Sequence, residues 1–169
     1  MKRVLNFMKK IYLRGKYSNK FVLIDDENYN WLNKHKWYFE KGYAIRIYQQ
    51  KNKIFKIRMH RQILNTPEGL YTDHINRNKL DNRKKNLRFA TRQQNSANRT
   101  ANRKKIKSNN PYKGVHKEPR NKNKKWIARI WFYNNHIYLG GFHTKIEAAK
   151  AYDVKAKELF GEYACLNFN

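Results

Sequence analysis

Asp73 and His74 stand side by side in a stretch nearly empty of acids. Between Lys41 and Lys117 the only carboxylates are Glu68, Asp73 and Asp81, so each either neutralises basic neighbours or holds a cation. A histidine of ordinary basicity, with a pKa of about 6.5, accepts a proton from water at neutral pH. Behind the pair come Asn76, Asn78, Asn82 and Asn86, and Asn95 follows on the next helical stretch. A loop asparagine is ordinarily a turn former; Asn76, Asn78 and Asn82 are read that way, with Asn82 also able to brace the loop. His60 is read as a structural residue, and His35, His136 and His143 as non-catalytic. Arg83, Lys84, Lys85 and Arg88 form a basic run beside the loop, a solvated face by default and a set of phosphate contacts if nucleic acid lies there.

These residues need elements to position them. Successive side chains of a strand point to opposite faces, so a strand before Asp73 must end near Thr72 for Asp73 and His74 to converge. Residues 70–72 read as that strand, residues 75–86 as a structured loop, and residues 87–91 as a second strand. Residues 92–103 are helix-compatible, with Thr91 available as N-cap. Upstream, Met59–Leu64 is an apolar-periodic stretch stopped by Asn65, Thr66 and Pro67. The stretches at residues 11–13, 21–24, 43–48 and 54–57 are β-branched and aromatic, and a short helix opens on acids near Asp25. No chemistry beyond basic surface is evident in residues 1–55.

The composition names the partner class. In 169 residues there are 39 Lys+Arg against 12 Asp+Glu, a formal net charge of +27. Self-repulsion of that size opposes a compact state, so a polyanion, nucleic acid first, is the economical explanation. Hydrophobic residues at 40% and aromatics at 15% argue against disorder. The single cysteine, Cys165, excludes an intramolecular disulfide framework and a multi-cysteine zinc site. Apolar runs are too short to span a bilayer, and the start lacks a signal-peptide core. A soluble cytoplasmic protein with no membrane partner is expected.

Beyond a basic linker at residues 104–110 the pattern changes to three strands and one helix. Trp126, Ala128, Ile130 and Phe132 share one face; Ile127, Arg129, Trp131 and Tyr133 share the other. Asn134 and Asn135 suit a hairpin turn. Thr144 and Glu147 form a capping box before a helix with Ile146, Ala149, Tyr152, Ala156 and Leu159 at helical spacing, and Gly161 stands at its end.

The run MHRQILNTPEGLYTDHINRNKLDNRKKNLRFATRQQNSAN, residues 59–98, resembles the HNH endonuclease family, close to its phage and intron homing members. The resemblance implies a ββα-metal motif around one divalent cation, Mg²⁺ or Mn²⁺. It makes Asp73 and Asn95 metal ligands and His74 the general base, with Asn86 orienting that histidine or bracing the loop. The commonest family form has histidine where Asn95 stands here. Residues 111–168 resemble the AP2/ERF DNA-binding domain, through Tyr112, Gly114, Val115, Trp126, Ala128, Ile130, the 139–142 and 147–153 segments and the final 166–168. That resemblance implies a three-stranded sheet in the major groove, with Lys113, His116, Arg129, Trp131, His136 and Tyr138 facing DNA. Only Lys113 and Arg129 suit direct guanine readout.

The expected fold class is α+β: a small β-rich N-terminal segment (1–55), an HNH region (56–103), the linker (104–110) and an AP2-like sheet on one helix (111–169). The expected function is metal-dependent nicking of double-stranded DNA by a monomer, at a site selected by the tail, in a phage-infected or bacterial cell. The alternative is a non-catalytic DNA-binding regulator, against which the Asp73, His74, Asn86 and Asn95 set argues. An RNA-binding role is disfavoured, because the exposed sheet lacks a paired aromatic platform.

Overall fold

The computed structural model describes residues 7–101, 110–119, 123 and 125–168. It is a mixed α/β structure of several small antiparallel sheets and few helices. The chain divides into two compact units, Met1–Thr91 and Arg92–Asn169. No helix among the described residues is long and apolar enough to cross a membrane. Of the expected linker, all but Asn110 lies outside the described residues.

The first unit opens with β1 (Met8–Tyr12) paired to β2 (Phe21–Asp25), followed by α1 (Asp26–Leu32). Next, β3 (Tyr38–Glu40), β4 (Tyr43–Gln50) and β5 (Lys53–Arg58) make a three-stranded sheet. Its two hairpins are as tight as the backbone permits. Lys41 and Gly42 join β3 to β4, Lys51 and Asn52 join β4 to β5, and all four have positive φ, as mirror-image two-residue turns require. α2 (Met59–Leu64) buries Met59, His60 and Ile63 and ends at Asn65, whose φ of 46° and ψ of 52° form a left-handed cap. Arg61 then clamps the following turn, donating to the carbonyls of Leu70, Thr66 and Pro67.

The second ribbon of this unit pairs β6 (Tyr71–His74) with β7 (Leu87–Ala90). One hydrophobic core takes Ile11 from β1, Val22 and Ile24 from β2, Leu32 from α1, Ala44 from β4, Met59 and Ile63 from α2 and Leu87 from β7. The N-terminal strands and the Asp73–His74 ribbon therefore share their interior.

The second unit begins with α3 (Arg92–Ala97), then β8 (Val115–Lys117), β9 (Trp126–Phe132), β10 (Asn135–Phe142) and α4 (Lys145–Phe160). The sheet order is β10-β9-β8, and α4 covers one face. Ala128, Ile130 and Val115 pack on Ala148, Ala149, Tyr152 and Ala156. The Thr144–Glu147 capping box is present. Gly114, at φ +76°, is required by close approach: a Cβ there would stand 1.9 Å from the Tyr152 ring.

Two expectations are corrected. The β9–β10 turn consists of Tyr133 and Asn134, with φ of 43° and 65°, because Asn135 pairs with Phe132 in the ladder; the turn lies one residue earlier than expected. α3 stops at Ala97 rather than continuing to 103. The carbonyl of Ala97 accepts from Cys165 N and from the ammonium of Lys113, which caps the helix there. On the face of β9 away from α4, Arg129 and Trp131 are exposed and Ile127 is buried.

Candidate functional site

The β6–β7 ribbon holds Asp73 and His74 at consecutive rungs, opposite Arg88 and Leu87. The strand therefore runs through His74 and does not end near Thr72. The pleat sends the two side chains different ways. Asp73 is buried, and its Oδ2 accepts from both Nε and Nη2 of its cross-strand neighbour Arg88, each at 2.9 Å. His74 is also buried, and its Nε2 lies 2.8 Å from the Asn82 side-chain oxygen. The His60 ring meets His74 edge to face at 4.9 Å, and the Tyr43 ring lies 4.9 Å from His60 and 6.2 Å from His74.

The loop that delivers Asn82 is built almost entirely from its own polar side chains. Asp81, fully buried, accepts from Arg83 Nε at 2.7 Å and Nη2 at 2.6 Å, and from Asn76 Nδ2 at 2.8 Å. The Arg83 guanidinium holds the Asp81 carboxyl below the usual range. Asn86 bridges the loop base: its Oδ1 accepts from Asn76 N, and its Nδ2 donates to the Asp81 carbonyl. Asn76 and Asn78 accept from backbone amides two residues on, as turn-forming asparagines do. The loop is also stitched to β2. Leu23 N donates to Leu80 O, Leu23 O accepts from Asn82 N, and Asp25 Oδ2 accepts from Lys84 N at 2.7 Å. Asp25, at the N-cap position of α1, makes no side-chain cap bond and turns to the loop instead.

Burial holds the His74 imidazole below its ordinary basicity, against upward pulls from its bond to Asn82 and from Asp73 and Asp81. Burial, helped by the charges of His74 and Arg58, pushes His60 down to about 3. His60 Nδ1 is buried and has no hydrogen-bond partner. Both rings are therefore neutral at pH 7.

Of the residues singled out from the sequence, Asp73, His74 and Asn86 come together in this ribbon and loop. Asn95 is carried by α3, in the second unit. Asn86 makes loop-bracing contacts, and Asn82 is the residue that touches His74. In the basic run, Arg83 pairs with Asp81, Lys84 with Glu27 at 2.7 Å and Arg88 with Asp73, while Lys85 is exposed. Sequence reasoning missed Tyr43 and Asn82 as neighbours of His74. A tyrosine directly after a hairpin glycine gave no signal, and Asn82 looked like its turn-forming neighbours.

In the second unit, His116, Arg129, Trp131, His136 and Tyr138 share the sheet face away from α4. Cross-strand pairs set Tyr138 beside Arg129 and His136 beside Trp131, whose rings meet at 4.6 Å. Trp131 is 50% exposed and Tyr138 60%. Lys113, expected to face bases, is half-buried; its ammonium donates to the Ala97 carbonyl and lies 5.9 Å from the Tyr152 ring centroid. Arg129 is therefore the outward-facing guanine-reading candidate on the sheet.

Residues 65–97 match the family model described as HNH endonuclease. The chain is 34% identical over 163 residues to an uncharacterised HNH endonuclease of Acanthamoeba polyphaga mimivirus, covering 91% of this chain and 77% of that protein. Partial matches link it to an ethylene-responsive transcription factor of Arabidopsis thaliana (33% over 109 residues, 63% of this chain and 23% of that protein) and to an APETALA2-like protein of Oryza sativa subsp. indica (44% over 45 residues, 27% and 10%). No solved structure matches.

Proposed function

The chain belongs to the HNH endonuclease family, and from that premise we propose that it hydrolyses one phosphodiester bond of duplex DNA, with His74 as general base and a divalent cation held by Asp73 and Asn95. The observation that carries the proposal is the bond between His74 and Asn82. A carboxamide oxygen only accepts, so the proton of the neutral imidazole sits on Nε2 and the lone pair on Nδ1. Burial keeps that ring neutral at pH 7, ready to take a proton from the attacking water.

The donor set fits a hard cation. Asp73 offers a carboxylate and Asn95 a carboxamide oxygen, ligands that suit Mg²⁺ or Mn²⁺ rather than zinc. Among the described residues no group of three or more His, Cys, Asp or Glu gathers to hold a metal, so water and phosphate oxygens would complete the shell. When bound, the cation supplies neutralisation of charge at phosphorus and stabilisation of the departing 3′-oxygen. Arg88 orients Asp73 through its two donors to Oδ2, and Asn86 and Asp81 keep the loop that presents Asn82.

Site selection is assigned to the exposed sheet face of the second unit, read as an AP2-like module. The partial similarity to plant proteins, one of them described as a transcription factor, supports this. There Arg129 has the fork that reads guanine, and Trp131 and Tyr138 can stack on sugars or thymine methyl groups. A chain with one His74 set attacks one phosphate per encounter, so a monomer nicks, in the manner of a homing enzyme.

The test separates binding from cutting. His74→Ala is expected to abolish cleavage of duplex DNA in Mg²⁺ while shifting the same DNA in a gel at nearly the wild-type concentration. Equal loss of both activities would assign His74 to binding rather than proton transfer.

A further inference from the structure

Of the basic residues on the β6–β7 loop and β7, three have their charge met by a carboxylate: Arg83 by Asp81, Lys84 by Glu27 and Arg88 by Asp73. Lys79 differs. Its ammonium lies over the face of Tyr43, 4.2 Å from the ring centroid, and donates to the carbonyl of Lys41 at 3.4 Å. Its stem fits against Gly42, where an added Cβ would come within 3.0 Å of Lys79 Cδ. An exposed lysine is ordinarily rich in rotamers; here the side chain rests against a ring, a carbonyl and a glycine. The Tyr43 ring that supports the ammonium also neighbours His60 and His74, at 4.9 and 6.2 Å. The positive charge of Lys79 bears on both imidazoles and lowers their basicity.

We propose that Lys79 is a further catalytic residue, whose ammonium, held on Tyr43, contacts a non-bridging oxygen of the phosphate under attack and stabilises the charge that builds there. The inference rests on the endonuclease reading above. Its physical basis is spacing. A water bonded to His74 stands about 3 Å from the ring, and a near-attack phosphorus lies about 3 Å further on. The Tyr43 ring, 6.2 Å from the His74 ring and 4.2 Å from the ammonium, sets base and cation around one shared support. A cation already on the phosphate when the chemical step begins stabilises the developing charge with little further reorganisation. An exposed ammonium resting on a ring face can exchange that weak contact for a charge-assisted bond to phosphate. Tyr43 and Gly42 thereby become positioning residues contributed by the β3–β4 hairpin.

The experiment compares wild type with Lys79→Met, which keeps the stem and removes the charge. The natural duplex is one whose nick has been mapped; a second duplex carries a single neutral methylphosphonate at that bond. Lys79→Met is expected to melt like wild type, since the side chain is exposed, and to cut the natural duplex about 100-fold more slowly, the scale for one electrostatic donor. Wild type should bind the methylphosphonate duplex more weakly than the natural one, and Lys79→Met should lose most of that difference. Wild type that cuts, with Lys79→Met cutting as fast or keeping the full affinity difference, overturns the Lys79 assignment alone. Wild type that leaves every duplex uncut in Mg²⁺ overturns the endonuclease reading and this inference with it.

Discussion

A neutral imidazole can present either nitrogen to water, and at His74 one buried carboxamide decides which. Asn82 is fully buried and its oxygen faces Nε2, so the tautomer is set by a residue whose own backbone is anchored to Leu23, far upstream in sequence. His60 beneath it gives a measurable consequence. Its pKa is about 3 in the folded chain and about 6.5 unfolded. Below pH 6.5 the unfolded chain binds a proton that the folded chain refuses, so stability is full above that pH and falls as pH drops towards 3. His60→Phe removes this contribution. Its denaturation midpoint is expected to fall less than that of wild type between pH 7 and pH 5, and parallel losses would show that His60 is not buried neutral. That Asp73, His74 and Asn86 lie together on one ribbon and loop was legible because they are close in sequence. Asn82, Tyr43 and Lys79 were not, because their roles come from contacts with β2, α2 and the β3–β4 hairpin that no local pattern encodes.

Elements were legible where periodicity was strong and blurred where one residue of register decides. The capping box and the Ala149, Tyr152, Ala156 stripe of α4 follow directly from spacing. The β9–β10 turn did not: asparagine tolerates positive φ, yet the ladder puts Tyr133 rather than Asn135 in the turn. The end of α3 was equally hidden, since its last carbonyl is satisfied by Cys165 and Lys113 from distant sequence. At this scale the sharpest test is Gly114. An alanine there would place its Cβ 1.9 Å from Tyr152 Cδ2 and 2.8 Å from the Arg129 carbonyl, at a positive φ. Overpacking costs about 1–3 kcal/mol and the left-handed backbone about 1–2 more. Gly114→Ala should therefore lower the melting temperature and weaken DNA binding together. An unchanged melting curve would mean that the sheet and α4 do not pack as described.

At the scale of the whole molecule, the charge of +27 is compatible with folding because the few acids are placed where they matter. Asp25, Asp73 and Asp81 are buried and pin the loop and the β6–β7 ribbon. On the proposed reading, chemistry belongs to the His74 ribbon and base reading to the exposed face of the β8–β10 sheet. Removal of residues 104–169 would strip α3 of its caps at Cys165 and Lys113, so the sheet's contribution is better probed by substitution at its exposed face. The central claim, one His74-dependent site cutting one strand, is tested most directly on supercoiled plasmid in Mg²⁺ at limiting enzyme. Open circle should accumulate first, with linear DNA appearing only later; linear product formed at once without an open-circle phase, or supercoiled DNA that persists unchanged, would contradict it.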